Sequence, residues 1–348
     1  MTTFWKKKQF WGALIGLILL VYCAKDLRYS DIDDLLKQVD ILYIGFALIS
    51  GFAFMAFKGL RWRLMISHQK KVPVKKSVTL YSVGQLLSIT MPALTGQVGR
   101  VVLFSRKEKL RKTVVFSTIV LEVLFDAISL IVFMLFTSLA FAFPEKYRYL
   151  SFVVAGITLV GMIILYLTLQ YQVRLEDFAR RRFRDRWPGL YIVCRKFIRS
   201  FVKGIEMLRS SQHMFGTLFL SLAAWTSHMM VVWFLIMAFG FQVPFATAAV
   251  VMVINTIALM VPITPGNAGT FEIAVSRSLG AFPEVGQSDA VLFALTLHIM
   301  DLLPVLIYSY LFLQIEKTTL REIKAVHEKD IILDHIDEDG SFIEKERV

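Results

Sequence analysis

The sequence predicts an all-α, polytopic integral membrane protein, with about six full spans and two re-entrant hairpins arranged as an inverted repeat. Three observations predict this. Of 348 residues, 56% are hydrophobic and 19% charged, and the mean hydropathy is +0.60. Several segments reach the roughly 20 apolar residues that a bilayer core requires. Lys and Arg gather in short loops beside those segments, as cytoplasmic loops do. The net charge of +12 is therefore explained by membrane sidedness, and nucleic acid is not expected as a partner.

The first segment, 10–24, follows "KKK" and carries no small-residue cleavage site, so it reads as an uncleaved anchor with a cytoplasmic N-terminus. Cys23 and Cys194 suit neither a disulfide framework nor a metal cluster. The loop "KDLRYSDIDDLLKQVD" is acid-rich and reads as external. A span at about 41–60 returns to the basic "KGLRWRLMISHQKKVPVKK", where Arg61 and Arg63 are expected either to snorkel or to touch headgroup phosphate. The next apolar stretch, "SVTLYSVGQLLSITMPALTGQVGR", has basic sequence on both flanks and breakers in its middle. It is expected to dip in and return, since irregular backbone at depth is tolerated only inside protein or beside a wet cavity.

Spans at 113–141 and 149–171 follow, then the basic, amphipathic loop 172–212, expected in the cytoplasm against anionic lipid headgroups. A span at 214–239 goes out. The last, 288–315, ends inside because Lys317, Arg321 and Lys324 follow it. Residues 244–282 thereby have both ends outside and form a second hairpin, entered from the opposite face. The transmembrane domain is expected over 1–315, with repeat one at about 41–141 and repeat two at about 214–315. Residues 316–348 read as a poorly ordered, acidic cytoplasmic tail, and the location expected is the inner (cytoplasmic) membrane.

The two hairpin turns, "PALTGQVG" and "PITPGNAG", coincide at Pro92/Pro262, Gly96/Gly266 and Gly99/Gly269. Here the sequence resembles the lysylphosphatidylglycerol synthase transmembrane-region family, the flippase-like domain. Its Pro-x-x-Pro-Gly-x-x-Gly-x-x-Glu signature matches Pro262, Pro265, Gly266, Gly269 and Glu272. Pro92, Gly96 and Arg100 are similar to its Pro-x3-Gly-x3-Arg, with Gln97 in place of the usual acid. Glu122 and Asp126 match Glu-x3-Asp, with Val123 in place of the usual Arg. The resemblance covers about 10–315. It implies the lipid-translocating half alone, because the residues after the last span are too few for the aminoacyl-transferase domain that follows in well-known members.

An ionisable group near the bilayer centre costs about 2.5–3.5 kcal/mol on insertion scales, so each one demands a reason. Glu122 and Asp126 share one face of a helix, as do His298 and Asp301. Structural ties are one reading: Glu122 or Asp126 with Arg100, and Asp301 with His298 or Arg277. A carboxylate–histidine proton relay is another. His228, with Trp225 on its face, is expected to pack. At the second break, Thr264 is expected to cap a helix opening at Pro265, with Glu272 in its first turn. The N–H groups around Asn267–Gly269 are then expected to be free for an anion. The expected headgroup-binding set is Gly96, Arg100, Glu122, Asp126, Pro265, Gly266, Asn267, Gly269, Glu272, His298 and Asp301.

The leading function is a translocator of a phosphate-bearing phospholipid or lipid-linked intermediate, a transporter rather than an enzyme. The alternatives are a membrane glycosyl- or phosphotransferase on a lipid carrier, or an accessory subunit of a separate lipid-modifying enzyme. No Asp-x-Asp metal pair, phosphate-binding glycine loop or nucleophile–base pattern lies outside the membrane, so no cofactor or metal is expected.

Overall fold

The structure, a computed structural model, describes residues 14–23, 25, 39–90, 94–140, 156, 159–161, 163–164, 166–184, 187–258 and 264–316. Pro92 and Pro262, the acidic tail beyond 316 and the first part of the span expected at 149–171 lie outside these residues. The protein is an all-α, multi-pass membrane protein, with no strand among the described residues. Helix α1 runs Leu14–Cys23, α2 Ile41–Ile66, α3 Val74–Thr90, α4 Leu94–Glu108 and α5 Lys112–Ala140. Then come α6 Gln172–Phe183, α7 Pro188–Ile205, α8 Ser211–Ala238, α9 Ala246–Ala258, α10 Thr270–Leu279 and α11 Gln287–Glu316. Helices α2, α5, α8 and α11 are long and apolar enough to cross a membrane.

The centre of the fold is the pairing of α2 with α8. Asp40 caps α2, its carboxylate accepting from Leu42 N–H at 2.8 Å. Its own N–H donates to the Ala238 carbonyl at 3.0 Å, so α2 begins where α8 ends and the two run antiparallel. That direction is what equivalent helices of an inverted repeat require. Helix α2 also crosses α11 closely: a β-carbon at Gly51 would sit 3.0 Å from Pro304 Cγ. Pro304 lacks an N–H, which leaves the Met300 carbonyl without its usual helical donor.

Each repeat adds a helical hairpin to this frame. In the first, α3 and α4 close on each other where a β-carbon at Gly96 would lie 2.6 Å from Ser88 Cα. In the second, α9 and α10 flank a single 3₁₀ turn at Pro265–Asn267. Here the left-handed backbone at Gly266 (φ 66°) and Gly269 (φ 83°) explains the glycines. Asn267 (φ 54°) between them is of the type that best tolerates this region. The breaks approach one another, since a β-carbon at Gly266 would be 3.8 Å from Ile89 Cγ2 at the end of α3.

Two expectations about boundaries are corrected. Helix α2 continues to Ile66, beyond the expected end at 60, and carries Arg61 fully inside the protein rather than to the membrane surface. The second break opens only a single 3₁₀ turn at Pro265, with Thr264 before it, and not the α-helix that carries Glu272. The helix begins at Thr270, and the Thr264 hydroxyl donates to the Ala268 carbonyl at 2.8 Å instead of capping.

Candidate functional site

Two buried polar clusters occupy the interior, one in each repeat. In the first, α2 supplies Lys58 and Arg61, α3 Tyr81, α4 Arg100, and α5 Glu122 and Asp126. Arg61 Nη1 donates to Asp126 Oδ1 at 2.5 Å and to Ser221 Oγ at 2.9 Å. Its Nη2 lies 3.4 Å from Glu122 Oε1. Lys58 Nζ reaches Asp126 Oδ2 at 3.3 Å, and Trp225 Nε1 donates to Asp126 Oδ1 at 2.8 Å. Glu122 accepts from both Arg100 and the Tyr81 hydroxyl. The Arg100 guanidinium also covers the Tyr81 ring, 4.5 Å from its centroid.

The second cluster joins α8, α10 and α11. His228 Nε2 lies 3.1 Å from Asp301 Oδ1, and His298 Nδ1 lies 2.6 Å from Glu272 Oε1. The His298 ring stacks on Phe271 at 4.4 Å. Glu272 Oε2 accepts the Gly269 N–H at 2.6 Å. The glutamate thus reaches back from the first turn of α10 to the residue before it, the acidic half of a capping box.

The two clusters match in register. An offset of 170 residues carries the start of α2 onto that of α8, and Lys58 onto His228. An offset of 175 carries the start of α5 onto that of α11, and Asp126 onto Asp301. The Lys58–Asp126 pair and the His228–Asp301 pair are therefore equivalents. A second tie, from the return arm of the hairpin to the following span, is Arg100–Glu122 in one repeat and Glu272–His298 in the other, with the charges exchanged. An aromatic seam joins the clusters. Phe54 stacks on His228 at 4.9 Å and faces Trp225 at 6.0 Å, while Lys58 Nζ lies 4.9 Å from the Phe54 ring.

Exposure separates two kinds of residue. Arg61, Arg100, Glu122 and Glu272 are buried, whereas the side chains of Lys58, Asp126 and Asp301 are 11%, 18% and 22% exposed. The first four tie helices together, and the latter three are partly exposed. The first cluster holds three basic side chains against two carboxylates, one base in excess. The second holds two carboxylates balanced only when both histidines carry a proton.

Several sequence expectations are corrected by these contacts. Asp301 pairs with His228 rather than with His298 or Arg277, because His298 turns to Glu272. Arg277 instead meets the Tyr22 hydroxyl at 3.3 Å. His228 does pack against aromatic rings, and it binds Asp301 as well. The N–H groups expected to be free for an anion are occupied. Asn267 N–H donates to the Thr264 carbonyl at 3.0 Å, Ala268 N–H to that of Pro265 at 3.3 Å, and Gly269 N–H to Glu272. Nor does Gly269 face open space: a β-carbon there would lie 2.3 Å from Leu19 Cβ of α1. Helix α1 follows α10 onward, with Cys23 Sγ 3.9 Å from Ser276 Oγ.

Residues 9–309 match the family described as the lysylphosphatidylglycerol synthase TM region. The chain is similar to UPF0104 membrane protein PH1989 of Pyrococcus horikoshii, at 22% identity over 306 residues, covering 82% of this chain and 89% of that protein. No solved structure matches it. The repeated hairpins, the glycine break and the buried carboxylates accordingly sit within a known membrane framework: the chain belongs to the lysylphosphatidylglycerol synthase transmembrane-region family.

Proposed function

We propose that the protein translocates a phosphate-bearing lipid headgroup across the cytoplasmic membrane. The observation that carries this reading is the unclosed charge of the first cluster. Lys58, Arg61 and Arg100 face only Glu122 and Asp126, and the surplus cation is on the reachable side. A buried uncompensated charge is expensive, and a lipid phosphate beside Lys58 would neutralise it. The aromatic seam then leads to Asp301 and His228, where an amine or hydroxyl substituent of the headgroup finds an acceptor. In this reading Glu122, Arg100, Glu272 and His298 hold the walls. Asp126 and Asp301 meet the headgroup, and Gly96, Pro265, Gly266, Asn267 and Gly269 set the two breaks at the required closeness.

The accompanying topology has about six spans and two hairpins entering from opposite faces, with repeats at 41–141 and 214–315. Both termini and 172–212 are cytoplasmic, and that basic segment rests on anionic lipid. Single-cysteine scanning with an impermeant thiol reagent tests the sidedness, and strong labelling near Gln242 from the cytoplasmic side would sink it. The function is tested in vesicles carrying the purified protein and a panel of fluorescent lipids, with and without a proton gradient. Phosphate-bearing lipids should cross and a phosphate-free glycolipid should not. Equal movement of every lipid in protein-containing and protein-free vesicles overturns the reading.

A further inference from the structure

Helices α6 and α7 and the start of α5 line an open-sided cavity of about 810 Å³, apart from both buried clusters. Its lining includes Arg111, Arg180, Arg195, Arg199, Lys203 and Arg209, opposed by Glu176, Asp177 and Glu206. We propose that this cavity is a binding site for a phosphate monoester, carried by a lipid headgroup or by a soluble molecule.

The cavity is built into the fold rather than formed by a loose loop. Helix α7 meets α5 so closely that a β-carbon at Gly204 would lie 1.6 Å from Ser117 Oγ and 3.0 Å from the Val114 carbonyl. Ile205, which ends α7, and Met207 just beyond it pack with Leu121 and Phe125 of α5, which fixes the basic face of α7 relative to the span. Arg111, immediately before α5, donates to Ser200 Oγ at 3.4 Å.

Within the cavity the charges are unequally matched. Glu176 alone accepts from Arg199, at 2.8 Å, and lies 3.8 Å from Arg195 Nε. It behaves as an internal anion bound by two guanidinium groups. The Arg180 guanidinium and the Lys203 ammonium group have no hydrogen-bonding or charged partner among the described residues, although the Lys203 carbonyl accepts from Gln69. A phosphate dianion offers three oxygens to this arrangement and suits the planar guanidinium fork, whereas a carboxylate would saturate only part of it. The volume falls in the range of small-ligand sites. Val173, Phe178, Val193 and Phe197 on the same two helices are exposed apolar groups, which suits a position beside a membrane surface. That position matters only if the phosphate comes from a lipid.

The test uses the full chain purified in detergent, with two probes. Phosphatidic acid retention is counted by native mass spectrometry, and glycerol phosphate binding is followed by calorimetry. At least one probe should bind. The double variant Arg195→Gln/Arg199→Gln should weaken it about tenfold or more, the scale of charge-assisted hydrogen bonds. Arg181→Gln/Arg182→Gln, on the neighbouring helix α6 but outside the lining, should leave binding unchanged. Glu176→Gln should strengthen binding by freeing Arg199, a gain that a merely misfolded variant cannot give. Binding of the lipid alone assigns a headgroup site, and binding of glycerol phosphate assigns a soluble ligand. Binding of neither probe, equal weakening by both double variants, or loss of affinity in Glu176→Gln overturns the proposal. None of these measurements reads transport, so failure here leaves the translocator reading standing, and failure of transport leaves this site standing.

Discussion

The two repeats solve one structural problem with different chemistry. Each ties its first span to its second through an Asp, and its hairpin to its second span through a buried ion pair. Repeat one uses Lys58, Arg61 and Arg100, and the two guanidinium groups stay charged at any physiological pH. Repeat two uses His228 and His298, whose charge changes near neutral pH in ordinary surroundings. The first cluster is thus a fixed electrostatic frame and the second an adjustable one. Where two halves share a plan, the residues that differ mark where their tasks diverge.

The largest expected effect breaks that contrast directly. Glu122→Gln leaves Arg100 buried with no carboxylate, and removing one partner of a buried pair costs about 3–5 kcal/mol. His298→Gln removes no permanent charge and retains a donor for Glu272, so it should cost far less. Thermal unfolding in detergent compares the two. Equal losses would mean that the histidine cluster is as rigidly ionic as the arginine one.

Next in size is Gly269→Ala. A left-handed backbone costs an L-residue about 1–2 kcal/mol, to which a clash with Leu19 is added. Release of α1 should follow, seen as faster labelling of Cys23. Gly96→Ala should act inside its own hairpin, against Ser88, and leave Cys23 protected. If both variants expose Cys23, the breaks are one cooperative unit and not two local ones.

The third effect is functional. Lys58→Gln closes the charge of the first cluster without uncovering a buried carboxylate, because Arg61 and Trp225 still hold Asp126. Transport of anionic phospholipids should fall about tenfold, corresponding to about 1.4 kcal/mol. His228→Gln should lower transport less, because a glutamine amide can still donate to Asp301. A Lys58 variant with full activity would remove the surplus cation from the mechanism.

These residues also measure what was readable from the chain. Hydropathy and charge placement gave the membrane class, the four long helices and the positions of both hairpins, because burial in lipid acts on whole segments. The pairing of Glu122 with Arg100 was among the alternatives considered, since both follow the first break. Lys58 is not singled out by the sequence, and Arg61 reads there as snorkelling or touching headgroup phosphate rather than as a buried tie. A basic pair at the end of an apolar run looks the same whether the helix stops at the headgroups or runs on inside the protein. The partners of Asp301 and His298 depend on how α8 and α10 pack around α11, and local spacing does not encode that. The N–H groups of the second break were misread for a related reason: Glu272, three residues on, supplies the anion from within.

The smallest effect lies outside both clusters, at the basic cavity, where neither repeat's chemistry applies. Hydrogen bonding from Arg199 holds the Glu176 carboxyl below its ordinary value of 4.5. A carboxyl depressed on folding contributes its stability above the unfolded value and loses it as pH falls through the folded one. The α6–α7 tie should therefore be intact at neutral pH and loosen only below about pH 4.5, the ordinary value. The gain is modest because the pair is largely open to solvent and screened by salt. Hydrogen exchange along α6 should rise slightly below that pH in the native chain, and Glu176→Gln, which keeps the apolar contacts of α6 but lacks the titrating group, should show no such step. A step that persists unchanged in the variant would mean that another group, not the Glu176–Arg199 pair, sets it.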